Sequence, residues 1–235
     1  MIASDQPGVS AILLFGSRAR GDNTRGSDTD LLLIAPPNPP RHESIGHLSM
    51  FFYPWEKLAE DAQSGDLFVC HIVREAKPVF DPLFQLEKLR SLFRLRSSYA
   101  REIAHAGALG WLLDRHAGAF NSQVVSRRMI WCARTILIAR LAERGTPEFA
   151  PAALAASAPV SAASLLQNRH QRRVDATMRQ RFRQFLMQNA APPPLPVDAT
   201  IDDYRALFVG TDNGVGLQTI ERGSQALDEK GEHYR

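Results

Sequence analysis

Two stretches decide how this chain folds: Ala11-Ile12-Leu13-Leu14-Phe15-Gly16-Ser17-Arg18-Ala19-Arg20-Gly21 and, after a short polar interval, Ser27-Asp28-Thr29-Asp30-Leu31-Leu32-Leu33-Ile34. The apolar run over residues 11–15 is short, ends at a glycine and reads as a buried strand. Gly16-Ser17 then opens a helix, and Gly21, Asp22, Asn23 and Gly26 make the following segment a loop. Leu31 to Ile34 form a second buried strand, with Asp28 and Asp30 at its start. Residues two apart on a strand share a face. The two carboxylates therefore converge, and they repel one another unless a cation sits between them.

Hard oxygen ligands of this kind suit Mg²⁺, with Mn²⁺ as the alternative. Such an ion is usually held by one or two carboxylates plus substrate phosphates. The glycine of Gly16-Ser17 lets a phosphate approach the backbone, free N–H groups at a helix start bind anions, and the serine hydroxyl can donate to a phosphate oxygen. Strand, phosphate turn, loop and carboxylate pair thus add up to a site for a metal-bound nucleoside triphosphate. Gly16, Ser17, Arg18, Arg20 and Ser27 are the candidate nucleotide-binding residues, and Asp28 and Asp30 the candidate metal ligands and catalytic residues.

The pattern G-S, ten residues, D-x-D resembles the signature of the DNA-polymerase-β-like nucleotidyltransferase superfamily. The form Gly16-Ser17-Arg18-Ala19-Arg20-Gly21 is similar to that of its minimal and aminoglycoside-type members. The resemblance implies an α+β fold: a small mixed-sheet catalytic domain followed by an α-helical bundle. It also implies a mechanism. Asp28 and Asp30 would hold two Mg²⁺ ions, one on the triphosphate and one on the acceptor oxygen, and attack on the α-phosphorus would release pyrophosphate. The superfamily usually adds a third carboxylate on a neighbouring strand. The corresponding strand here is Leu48 to Tyr53, and Ser49 stands at the expected place. Glu43 precedes that strand and Glu56 follows it. His47 would share a strand face with Ser49 and reads as structural.

Outward from this motif, Pro36, Pro37, Pro39 and Pro40 make a stiff connector. Residues 55–63 read as a helix, 67–73 as a short helix or strand, and 78–82 as an extended piece. The expected catalytic domain is 1–85. A helical domain for substrate or partner follows over 86–209, and a flexible tail over 210–235. Within the helical part the spacing predicts one long helix over 83–116 and a clear one over 122–144, where Val125, Met129, Cys132, Ile136 and Ala139 recur on one face. Residues 150–166 read as a short helix plus loop, 169–189 as an amphipathic helix with an Arg-rich outer face, 190–196 as a rigid Pro-rich linker, and 201–209 as a last helix.

Composition narrows the classes. With 44% hydrophobic and 23% charged residues, the chain reads as an ordinary globular protein. It has no apolar run long enough to span a bilayer and no secretory signal at its start, so a cytoplasmic location is expected. Its two cysteines suggest neither a disulfide framework nor a zinc site. Residues 1–85 hold 7 basic against 11 acidic residues, a net of −4, whereas 86–235 hold 21 against 14, a net of +7. An acidic half suits a cation and a basic half an anionic partner. The expected activity is therefore transfer of a nucleoside monophosphate from an NTP, ATP first, to an acceptor hydroxyl. Charge favours a nucleotide, oligonucleotide or nucleic-acid end as acceptor, as in antiviral signalling systems. A partner protein modified by an antitoxin-type enzyme, an aminoglycoside, and a degenerate module that binds nucleotide without catalysis are the alternatives. No membrane partner is expected, and a homo-oligomer remains open.

Overall fold

A computed structural model describes residues 8–36, 39–167 and 173–228 and divides the chain into two compact units, Met1–Ser97 and Ser98–Arg235. The first unit is built on β1 (Ala11–Phe15), whose buried residues alternate with half-buried ones. Next come α1 (Gly16–Arg20), β2 (Thr29–Ile34), β3 (Arg41–Ile45), β4 (Leu48–Tyr53), α2 (Trp55–Gln63), α3 (Leu67–Glu75), β5 (Lys77–Phe80) and α4 (Gln85–Leu92). The strands form one mixed sheet in the order β3-β4-β2-β1-β5. β2 and β4 run parallel and the other neighbours antiparallel. One face carries the core: Leu13, Phe15, Leu32 and Ile34 pack with Leu58 of α2, Val69 and Ile72 of α3, and Leu86 and Leu89 of α4.

Three local outcomes differ from the sequence expectation or complete it. Residues 67–73, open between helix and strand, are helical because the Asp66 carboxylate caps α3, accepting from the backbone N–H groups of Phe68 and Val69. The apolar pattern does not predict β3. Arg41-His42-Glu43-Ser44-Ile45 has a single apolar residue and lies at an edge, where no burial pattern marks it. It forms because Gly46, at φ 58°, opens a two-residue turn that folds the chain back as a hairpin onto β4. The helix expected over 83–116 is two helices. Around the break, Ala100 N–H donates to Ser98 Oγ and Tyr99 N–H to the Glu143 carboxylate, so these donors leave the helical ladder. The two compact units divide at 97/98, and α4 contributes Leu86 and Leu89 to the core beneath the sheet.

The second unit is helical over its described residues: α5 (Ala100–His116), α6 (Ser122–Glu143), α7 (Pro151–Ser157), α8 (Val160–Gln167), α9 (Ala176–Asn189), α10 (Ile201–Gly210) and α11 (Gly214–Asp228), with a short 3₁₀ turn after α5. α5 and α9 cross closely at Gly110, where an added Cβ would lie 2.7 Å from Leu186 Cδ2. Phe182 and Phe185 of α9 are fully buried in this core. Phe182→Ala is expected to cost about 3–5 kcal/mol, read from the denaturant midpoint.

The Pro-rich linker is strapped down. Trp111 Nε1 donates to Ala191 O at 3.0 Å, and the Arg115 guanidinium donates to Leu195 O at 3.1 Å and Pro196 O at 2.6 Å. The tail expected to be flexible from residue 210 is instead helical over Gly214–Asp228. Asn213 caps this helix by accepting from Gly216 N–H, and Ile220 and Gly223 are buried. The remainder of that expectation, 229–235, lies outside the described residues, as do Pro37, Arg169 and Arg172. Among the described residues no helix is long and apolar enough to cross a membrane.

Candidate active site

Sheet register places the residues of the motif. Phe15, the last residue of β1, pairs with Asp30 of β2. Asp30 pairs across the parallel ladder with Ser49 of β4, and Ser49 with Ser44 of β3. Paired residues share a face. Ser44, Ser49, Asp30 and Phe15 therefore form one row across the sheet, on the face that carries the core. Phe15 anchors the row by edge contacts to Phe51, Phe68 and His71.

The turn after Phe15 lies against Asp30. Gly16 has φ 71°, in the left-handed region that favours glycine, and a Cβ built on it would stand 2.6 Å from Asp30 Oδ2. The glycine thus brings the phosphate-type turn and the carboxylate into contact, with no side chain between them. Asp30 is half-buried, and its carboxyl is held above its ordinary pKa. Burial is the first cause and the charge of Asp28 the second; His71, His42 and Arg20 pull the other way. The two carboxylates are thus close enough to repel. Asp28 is more exposed, and its Oδ1 lies 3.2 Å from His47 Nδ1.

Three of the remaining candidates, Arg18, Arg20 and Ser27, make protein contacts. Arg20 bonds Asp22 and Glu75. Burial lowers its pKa, but these acidic partners outweigh that and hold it above its ordinary value. Arg18 Nη2 donates to Ser27 O at 3.0 Å, and Thr24 N–H donates to Ser27 Oγ at 2.8 Å. Arg18 and Ser27 thereby close the loop that carries Asp28 to its place. Ser17 follows Gly16 at the head of α1.

Two histidines at the site are not marked by the motif. His42 Nε2 and Ser49 Oγ share a hydrogen bond of 2.7 Å, and the His42 ring stacks on Phe51 with centroids 4.3 Å apart. His71 bonds Glu75 at 2.7 Å. His42 is hidden in the sequence because its strand is hidden. His71 belongs to the stretch 67–73, where the residue pattern alone does not decide between helix and strand. Glu43, the acid nearest before β4, pairs with Met50 and so belongs to the opposite face from Ser49.

A divalent cation fits this donor set in part. Asp28 and Asp30 supply hard oxygens whose charges repel, which suits one Mg²⁺ completed by phosphate oxygens and water. Among the described residues no group of three His, Cys, Asp or Glu is placed to hold a metal ion. Where the resemblance implies a third carboxylate, the residue in register with Asp30 is Ser49.

In the second unit, several arginines of the basic helices are tied to neighbouring elements. Arg183 Nε bonds both carboxylate oxygens of buried Asp114, at 3.1 and 2.9 Å, and Arg179 donates to Asp114 O. Arg181 bonds Ser164, Arg128 bonds Gln218, and Arg134 donates to Phe149 O. The face of α9 expected to be solvated is partly a set of ties to α5 and α8.

Residues 2–89 match the nucleotidyltransferase domain family. No curated protein matches the chain. Among solved structures, a nucleotidyltransferase-like protein from Exiguobacterium sibiricum 255-15 is similar at 15% identity over 94% of this chain and 75% of that one, with a TM-score of 0.31. The strand, glycine turn and carboxylate strand stand within the span of the family match, so residues 2–89 of this chain are a nucleotidyltransferase domain of the DNA-polymerase-β-like superfamily.

Proposed function

We propose that the chain transfers a nucleoside monophosphate from a nucleoside triphosphate, ATP first, to an acceptor hydroxyl and releases pyrophosphate. One observation carries the reading: the Asp30 carboxylate lies directly against Gly16, at the distance where any side chain on residue 16 would collide with it. A triphosphate seated on the Gly16-Ser17 turn would thereby have its charge beside the carboxylate pair. Asp28 and Asp30 would hold one divalent cation there, which when bound neutralises the repulsion and stabilises charge on the reacting phosphate.

The chain's own residues do the rest. The turn backbone and the Ser17 hydroxyl orient the phosphates. Arg18, through Ser27 O, fixes the loop that aims Asp28. Arg20, bonded to Asp22 and Glu75, adds positive charge near Asp30. Catalysis of this kind is mostly positioning and electrostatics. The net charge of +7 over residues 86–235 favours an anionic acceptor such as a nucleotide or oligonucleotide.

Incubation with α-labelled NTPs and Mg²⁺ or Mn²⁺, with pyrophosphate release as readout, tests the reading. The wild type is expected to release pyrophosphate and to stop when a chelator is added. The Asp28→Ala/Asp30→Ala variant is expected to be inactive. Equal release by both proteins, or none by the wild type across nucleotide, nucleic-acid and protein acceptors, contradicts it.

A further inference from the structure

We propose that Ser49 is itself an acceptor: the domain nucleotidylates its own Ser49 hydroxyl, with His42 taking the proton. The proposal rests on the nucleotidyl-transfer reading above and adds where the group goes.

The sheet supplies the order of parts. The phosphate turn follows β1, Asp30 stands on β2, Ser49 on β4 and His42 on β3, so the parts lie side by side in that sequence across the sheet. Neighbouring strands are about 4.8 Å apart. In-line displacement at phosphorus places the attacking oxygen opposite the leaving group. With pyrophosphate on the turn, the attacking oxygen comes from the β4 side of Asp30. The first side chain there, in register with Asp30, is the Ser49 hydroxyl. Ser49 is buried, at 9% exposure, but it borders solvent through its exposed neighbours His42 and Ser44.

A base is already attached. His42 Nε2 lies 2.7 Å from Ser49 Oγ, the separation expected of an activated nucleophile and its base. Stacking on Phe51 holds the imidazole plane, and Ser44 Oγ lies 3.3 Å from the same nitrogen. The bond is not needed to clip β3 to β4. Five residue pairs from Arg41↔Phe52 to Ile45↔Leu48 already join those strands.

The step balances without a further reactant. A lone pair on Ser49 Oγ attacks the α-phosphorus of the NTP and forms the Oγ–P bond. The bond from that phosphorus to the bridging oxygen breaks, and its electron pair leaves on pyrophosphate. The Ser49 proton passes to His42 Nε2 and from there to solvent. The product is a phosphodiester between Ser49 and a nucleoside, and nothing is oxidised or reduced.

The full-length chain incubated with MgATP and no other acceptor tests this by intact mass and peptide mapping. One nucleoside monophosphate per chain is expected on Ser49. The label should vanish in Ser49→Ala, persist at reduced level on the hydroxyl of Ser49→Thr, and form about a hundredfold more slowly in His42→Gln, a typical loss for a missing general base. Melting curves check that each variant is folded. Binding of a non-hydrolysable ATP analogue, measured separately by calorimetry, divides the failures. No binding overturns the nucleotidyl reading and this proposal with it. Binding with Ser49 unmodified, or with the label on another residue, overturns this proposal alone.

Discussion

Replacing Asp30 with Asn is expected to cut metal-dependent pyrophosphate release about a thousandfold while leaving the melting temperature at neutral pH at or above that of the wild type. The activity loss follows from removing one of two cation ligands. Charge stabilisation by a bound metal is worth several kcal/mol, and about 4 kcal/mol corresponds to three decades in rate. The stability effect follows from the raised carboxyl. Burial and Asp28 hold the Asp30 pKa above its ordinary value, so between the ordinary and the raised value the folded chain binds more protons than the unfolded one. Stability therefore falls as pH rises through that window, and above it the charged carboxylate counts against the fold. Asparagine keeps the shape and removes that penalty. Mg²⁺ should raise the melting temperature of the wild type, because it binds the folded state, and should leave the variant unmoved. Scanning calorimetry over a pH series checks both signs. A variant that melts well below the wild type would show Asp30 to be structural.

Gly16→Ala should damage fold and activity together. Its backbone sits at φ 71°, where a non-glycine residue costs about 1–2 kcal/mol. The added methyl would also stand 2.6 Å from Asp30 Oδ2, so the carboxylate must move. A misplacement of about 1 Å at a reacting centre costs about a hundredfold in rate. Gly21→Ala separates the two effects. Gly21 also has a positive φ, 88°, but no neighbouring atom lies within 4 Å of the place its methyl would take, so that variant should lose stability and keep its activity. Urea denaturation and pyrophosphate release measure the pair. Equal activity losses in both would mean that the Gly16–Asp30 contact has no special part.

How much of this is legible in the sequence depends on where burial leaves a pattern. β1, α1 and β2 stand as read, because their apolar residues are packed on one sheet face and their glycine and aspartates punctuate the run. Ser49 is marked in the sequence only by the family resemblance, and the parallel pairing of β2 with β4 then puts it opposite Asp30. β3 leaves no such trace. An edge strand with a solvated face needs no apolar alternation, and its evidence is the Gly46 turn and its partner β4. The base candidate His42 is hidden with it. The break between α4 and α5 is invisible because it depends on Glu143, distant in sequence, accepting from Tyr99 N–H. The tail reads as flexible for its glycines, yet Gly216 and Gly223 are where α11 passes close to Phe208 and Phe120. Small residues there mark close packing. Arg20 looks free to meet a phosphate until α3 brings Glu75 to it.

The central claim is that Asp28, Asp30 and the Gly16 turn form one site for a metal-bound nucleoside triphosphate. Anomalous scattering from Mn²⁺ in crystals grown with a non-hydrolysable ATP analogue tests it most directly. A single strong peak is expected within about 2.0–2.2 Å of carboxylate oxygens from both aspartates, the usual range for a small hard cation, with the triphosphate on the Gly16-Ser17 backbone. Nucleotide and manganese bound elsewhere, or an ordered triphosphate with no peak between Asp28 and Asp30, would contradict it.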